Sequence, residues 1–71
     1  MLGGDPAAAA KELEYCIEQG MDDSEAWLML AESYIKIGEP DKARHALQEA
    51  AGREPENAKV AEFMRQLKAE K

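Results

Sequence analysis

Apolar residues of this chain fall into four segments, which are separated by the breaks "GGDP", "GMDDS", "GEPD" and "EPENA". The densest segment is "AWLMLAESYIKI", residues 26–37, in which nine of twelve residues are apolar. Apolar positions recur there at spacings of three and four, which is typical of a helix, whereas the alternation typical of a strand is absent. The pattern therefore predicts an all-α protein.

Helix start and stop signals divide the chain into four predicted helices. Asp5 is the expected N-cap of the first, with Pro6 at its first position, and Asp23 or Ser24 is the expected cap of the second. The third opens with a proline, and Asn57 is the expected cap of the fourth. Glycines at 20, 38 and 52 are expected to end the first three. The predicted helices span 6–19, 24–37, 40–51 and 58–70.

The same punctuation repeats along the chain with a period of 34 residues. Four pairs carry the period: Gly4 and Gly38, Pro6 and Pro40, Ala9 and Ala43, Leu13 and Leu47. A fixed period of this size is typical of an array of helical repeats. Because the connections are short, neighbouring helices are expected to be antiparallel.

One segment, 24–57, carries a set of small and bulky residues at fixed spacing. The set comprises Trp27, Leu30, Ala31, Tyr34, Ala43, Leu47, Ala50 and Pro55. It resembles the pattern W-x2-L-G-x2-Y, A-x3-F, P of the tetratricopeptide repeat family, a 34-residue helix–turn–helix. Ala31 stands where the family has Gly, and Leu47 stands where it has Phe. The first position therefore remains small, and the second remains bulky and apolar. The resemblance implies antiparallel helix hairpins in a right-handed superhelical array.

Two half-repeats flank this unit in the predicted organisation of a single domain, 1–71. Residues 4–23 resemble the second helix of a preceding repeat, and 58–71 resemble the first helix of a following one. The last helix turns an apolar face back toward the array, formed by Val60, Phe63, Met64 and Leu67. Its outer face carries Ala61, Arg65 and Lys68. A polar outer face is typical of a helix that caps a solenoid.

The first helix lacks the partner that would cover Ala9, Leu13 and Cys16. Because each repeat buries its apolar face against its neighbours, about three repeats are usually needed for stability. Two explanations remain open: the chain is the C-terminal part of a longer array, or its first helix self-associates. A designed or minimised repeat is a further alternative.

Charge excludes some partner classes. The chain has a net charge of −6, and residues 1–55 carry 12 acidic and 5 basic side chains. This balance disfavours nucleic acid and anionic membrane surfaces as partners. The first residues contain no long apolar run, so neither a signal peptide nor a membrane span is predicted, and the cytoplasm is the default compartment.

Candidate reactive side chains are few. One cysteine and one histidine build neither a disulfide nor a zinc site, and no cofactor motif is present. Cys16 is expected to be a buried small apolar residue rather than a redox switch, and His45 to lie exposed on the third helix. Trp27 and Tyr34 are expected in the core rather than in an aromatic cage, whereas Tyr15 is expected near the open surface. No catalytic constellation is predicted.

The resemblance implies a concave groove lined by the first helix of each repeat. Its lining residues here would be Glu25, Leu28, Glu32, Ile35, Lys36, Lys59, Glu62 and Gln66, with Phe63 at the edge. Some family members clamp a chaperone's C-terminal carboxylate with Lys and Asn. The corresponding positions here are Leu28 and Glu32, so that adaptor role is not expected.

Two features of this groove have structural alternatives. Leu28 and Ile35 are apolar but are not needed for the contact between the two helices of the hairpin. They are predicted to bind a partner, unless the first or fourth helix covers them. Glu32 and Lys36, four residues apart, have the spacing of a surface ion pair.

The expected function is therefore a non-catalytic protein–protein interaction module that binds a peptide or helix of a partner in the groove. The alternative is a self-associating scaffold that oligomerises through the open face of the first helix.

Overall fold

The computed structural model describes the backbone of residues 5–70 and the side chains of residues 5–67. Four helices run through this part of the chain, and it contains no strand: α1 Pro6–Glu18, α2 Ser24–Lys36, α3 Pro40–Arg53 and α4 Ala58–Glu70. The predicted all-α array of helical hairpins is confirmed. The first two helices end one residue earlier than predicted, and α3 ends two residues later.

Side chains cap the starts of the first two helices. The Asp5 carboxylate accepts a hydrogen bond from the backbone N–H of Ala8 at 3.3 Å. The Asp23 carboxylate accepts one from Ala26 at 3.0 Å, so Asp23 rather than Ser24 caps α2. Each bond satisfies one of the N–H groups that a helix start leaves without an intrahelical partner.

The last two helices start differently from one another. Pro40 occupies the first position of α3, and Glu39 before it makes no capping bond with its side chain. Proline suits this position because its missing N–H would have no partner there and its φ is already helical. At α4 the Asn57 side-chain oxygen accepts from the Lys59 N–H at 2.8 Å, in agreement with the predicted cap.

Helices α1 and α2 end in the same hydrogen-bonded motif. After α2, the Gly38 N–H donates to the Ile35 carbonyl at 3.2 Å, and the Glu39 N–H to Tyr34 at 2.8 Å. This pair of hydrogen bonds requires a residue in the left-handed conformation, and Gly38 adopts it with φ +80°. Gly20 supplies the equivalent residue after α1, with φ +116°.

Gly52 behaves differently, and its prediction as the end of α3 is wrong. It lies inside α3, which continues to Arg53. Glu54 then adopts an extended conformation, φ −141° and ψ 80°, in front of Pro55. Proline disfavours helical geometry in the preceding residue, so Pro55 rather than Gly52 ends the helix.

Helix α2 is the centre of the fold, since it packs against α1, α3 and α4. Seven of its thirteen residues are buried: Ser24, Ala26, Leu28, Leu30, Ala31, Ser33 and Tyr34. A helix with neighbours on three sides is apolar around most of its circumference. Its position therefore accounts for the dense apolar segment at 26–37.

Helices α1 and α3 occupy equivalent repeat positions but are buried to different degrees. Ala43, Leu47 and Ala50 of α3 are each 0% exposed. The residues 34 positions earlier are less covered: Ala9 is exposed, and Leu13 and Cys16 are half-buried. Helix α3 packs against both α2 and α4, whereas α1 packs mainly against α2. None of the residues that the structure describes covers one flank of α1, which is therefore open.

Candidate functional site

The predicted groove residues lie in two rows on α2 and α4, which pack against one another. Six of the eight are exposed: Glu25, Glu32, Lys36, Lys59, Glu62 and Gln66. Ile35 is half-buried against the core, and so is Phe63 at the edge of the set. On the surfaces of α2 and α4, this set combines partly covered apolar groups with charges of both signs.

Leu28 does not belong to this surface, and its prediction as a partner-binding residue is corrected here. It is 5% exposed and lies in the core cluster that also contains Val60 and Leu67 of α4. The alternative, that a neighbouring helix covers it, therefore applies. The pattern within one helix identifies an apolar position but does not specify which neighbour reaches it.

Charge on this surface is only weakly paired. The Lys36 Nζ lies 3.6 Å from the Glu32 Oε2, and both side chains are at least half exposed. An exposed i,i+4 pair contributes about 0.3–0.5 kcal/mol, so either partner can be recruited to a ligand at small cost. On α4, Glu62, Phe63 and Gln66 border a shallow depression.

The two aromatic residues of the repeat have separate structural roles. Tyr34 is buried, its hydroxyl donates a hydrogen bond to the Glu14 carboxylate of α1, and the Lys42 ammonium lies 5.8 Å above its ring. This confirms Tyr34 as a core residue that joins α1 to α2. Trp27, by contrast, is half-buried at the core's margin, with its ring edge-on to His45 at 6.3 Å. Its prediction as a fully core residue is therefore only partly correct.

Trp27 forms a polar cluster with the α1–α2 loop and the end of α3. Its indole N–H donates to the Asp22 carboxylate at 2.8 Å, and the Arg53 guanidinium lies 2.7 Å from the same oxygen. Arg53 also donates to the Asp22 carbonyl at 3.0 Å and sits 5.3 Å from the Trp27 ring. The Trp27 hydrogen bond, assisted by Arg53, holds the pKa of the Asp22 carboxyl below its usual value.

A second polar cluster lies beside the first. The Ser24 hydroxyl and the Asn57 side-chain amide both donate to the Glu54 Oε1, each at 2.9 Å. The two donors hold the pKa of Glu54 below its ordinary value. Together the clusters tie the start of α2 to the segment that joins α3 and α4. The sequence pattern did not identify either cluster, because Arg53 and Glu54 lie 31 and 30 residues from their partners Asp22 and Ser24.

Reactive side chains occupy unremarkable surroundings. Cys16 is half-buried rather than fully buried as predicted. His45 is exposed as predicted, with its Nε2 3.6 Å from the Glu49 carboxylate. Tyr15 is also exposed, at 64%. In the described part of the chain, no three His, Cys, Asp or Glu side chains are placed to hold a metal ion.

Among residues 5–70, none of the helices combines the length and the apolar character that a membrane-crossing segment needs.

Comparison with known proteins gives one family. A family model described as the tetratricopeptide repeat matches residues 1–67. No curated protein matches the chain. No solved structure matches it either. Tetratricopeptide repeats generally mediate protein–protein interactions and are typically non-catalytic. The match covers most of the sequence, and the chain belongs to the tetratricopeptide repeat family.

Proposed function

We propose that the chain is a non-catalytic interaction module that binds a peptide or short helix of a protein partner across α2 and α4. The observation that carries the proposal is the pair of rows on these two packed helices. Their polar side chains are exposed while Ile35 and Phe63 are half-buried. We call this surface the α2/α4 groove.

Its chemistry favours a ligand of mixed charge with at least one apolar anchor. The two rows carry three carboxylates and two ammonium groups, from Glu25, Glu32, Glu62, Lys36 and Lys59. Ile35 and Phe63 are only partly buried, so a partner that covers their remaining apolar surface gains roughly 25 cal/mol for each Å² removed from water. Short partner segments bind such surfaces through a few apolar anchors framed by polar contacts.

Selection of a displayed library of random peptides on the immobilised protein tests the proposal. Selected peptides are expected to lose at least about tenfold in affinity for an Ile35→Glu variant, which places a charge at the apolar centre of the groove. A His45→Glu variant is the matched control, because His45 is exposed and lies on α3, outside the groove. Circular dichroism checks that both variants fold. Equal binding by the two variants contradicts the α2/α4 groove as the binding surface.

A second candidate function is self-association through α1. It is supported by the open flank of that helix, on which Ala9 is exposed and Leu13 is half-buried. Both residues occupy repeat positions that are completely buried in α3.

A further inference from the structure

The open flank of α1 forms one wall of a groove whose other wall is α2. Its apolar floor includes Ala9, Leu13 and Met29, and Met29 is 48% exposed. The charged residues on its rim are Asp5, Glu12, Glu32 and Lys36, which is three carboxylates and one ammonium. The ammonium is already paired with Glu32 at 3.6 Å. This surface, the acidic face, is apolar at its centre and negative around it.

A second open groove lies at the opposite end of the fold, between α3 and α4. Its apolar part includes Ala61, Met64 and Leu67. The charged residues that border it are Arg44 and Arg65, with no carboxylate among the lining side chains within residues 5–67. This surface, the basic face, thus has the same apolar character as the acidic face and the opposite charge.

The 34-residue period relates these two faces to a contact that the fold already contains. Helix α4 repeats the positions of α2, and α1 repeats those of α3. Inside the chain α3 packs on α2 and completely buries Ala43, Leu47 and Ala50. The α1 of another copy can pack on α4 at the equivalent repeat positions, which would place Ala9, Leu13 and Cys16 in the contact.

We infer that the occupant of each open face is a second copy of this chain, joined head to tail through the acidic face of one copy and the basic face of the next. This inference rests on the second candidate function, self-association, and the acidic face shares Glu32 and Lys36 with the α2/α4 groove. Where two copies meet, α4 of one copy and α1 of the next form the pair of helices that makes up one repeat. Each copy therefore supplies the half-repeat that the other lacks.

Two charged residues give the joint its specificity. Glu12 occupies the repeat position of Ala46, which is 1% exposed, and Arg65 occupies that of Ala31, which is 0% exposed. Both small residues belong to the core that α2 and α3 share. At the joint, a carboxylate from one copy and a guanidinium from the other replace them, so the contact combines opposite charges. Such complementarity selects the partner and its register.

The same two charges disfavour the alternative joints. Packing two α1 helices together would bring two Glu12 carboxylates near one another, and packing two α4 helices would do the same with two Arg65 guanidiniums. A head-to-tail contact between different faces is heterologous, so copies add to form open chains rather than a closed dimer. If α4 instead caps the array and keeps its outer face in water, this joint does not form. The two alternatives therefore differ in oligomeric state.

Sedimentation velocity over a range of protein concentrations at low salt tests the inference. The wild-type chain is expected to form species larger than a dimer as concentration rises, and added salt is expected to reverse this. Glu12→Arg and Arg65→Glu variants each present like charges at the joint, so each is expected to lower the association constant at least about tenfold. An equimolar mixture of the two variants restores opposite charges at every joint and is expected to associate again.

The matched control makes the same charge change on α1 away from the joint, with Glu18→Arg. Glu18 is exposed, and this variant is expected to associate like the wild type. A wild-type chain that remains monomeric overturns the inference and the second candidate function together. Association that neither single variant weakens, or that mixing fails to restore, overturns the head-to-tail joint while leaving self-association by another surface.

Discussion

Truncation of Leu47 to alanine is expected to remove a large part of the stability of this fold. Leu47 is 0% exposed and is the largest fully buried side chain among the described residues. Removing three carbons forfeits about 2.4 kcal/mol of transfer free energy at about 0.8 kcal/mol per methylene. The enclosed site also leaves a cavity, which brings the expected cost to about 3–4 kcal/mol. A 71-residue domain has roughly 4–11 kcal/mol in total at typical stability per residue.

Leu13→Ala is the matched comparison, since Leu13 holds the same repeat position one period earlier. It is half-buried and borders an open groove. Truncation there opens no enclosed cavity and removes only part of the transfer term, so the expected cost is about 1 kcal/mol. The two variants carry the same chemical change, and the difference between them measures how far α3 is enclosed and α1 is open.

Urea denaturation followed by circular dichroism provides the assay. It is performed at a protein concentration low enough to keep the chain monomeric, because association would add contacts to Leu13. The free energy of unfolding is expected to fall about 2–3 kcal/mol further for the Leu47 variant than for the Leu13 variant. Equal losses within about 0.5 kcal/mol would refute the argument, because they would mean that both residues are equally enclosed.

Two further predictions concern a glycine pair and an acid transition. Gly38→Ala is expected to destabilise the fold by about 1 kcal/mol, because Gly38 has φ +80°. Gly52→Ala is expected to stabilise the fold by about 0.5–1 kcal/mol, because Gly52 lies inside a helix with open space around it. Thermal denaturation of both variants measures this, and shifts of the same sign would contradict it. The pKa of Asp22 is lower in the folded chain than its ordinary value of 3.8. Asp22 therefore stabilises the fold at pH values above 3.8, and this stabilisation is lost as the pH falls through the lower pKa of the folded state. Unfolding free energies from about pH 6 to about pH 2 should therefore fall less steeply in acid for Asp22→Asn than for the wild type, and identical acid profiles would contradict this role.

Local features of the fold were predictable from the chain because their causes lie within a few residues. The caps at Asp5, Asp23 and Asn57 depend on a side chain that reaches a backbone N–H two or three positions ahead. Glycine at 20 and 38 is needed where a single residue must adopt a positive φ. The 34-residue period and the fixed spacing of small and bulky residues also predicted the hairpins, because a repeated sequence pattern forms a repeated contact.

The candidate site was only partly predictable. The exposed polar members of the α2/α4 groove follow from the helical period, because a helix turns its polar residues away from its neighbours. Burial of Leu28 did not follow from it, since a single helix does not reveal how closely α4 approaches α2. Cys16, similarly, was predicted as buried and is half-buried because nothing in the described structure covers that flank of α1.

Long-range polar contacts were beyond the reach of the sequence pattern. Asp22, Trp27 and Arg53 meet because α3 returns antiparallel along α2 and brings its end to the α1–α2 loop. Hydrogen bonds of this kind depend on the distance and direction between elements, which no periodicity in the chain encodes. The helices and their repeat thus follow from short-range geometry, whereas the degree of burial and the polar clusters depend on how the helices pack together.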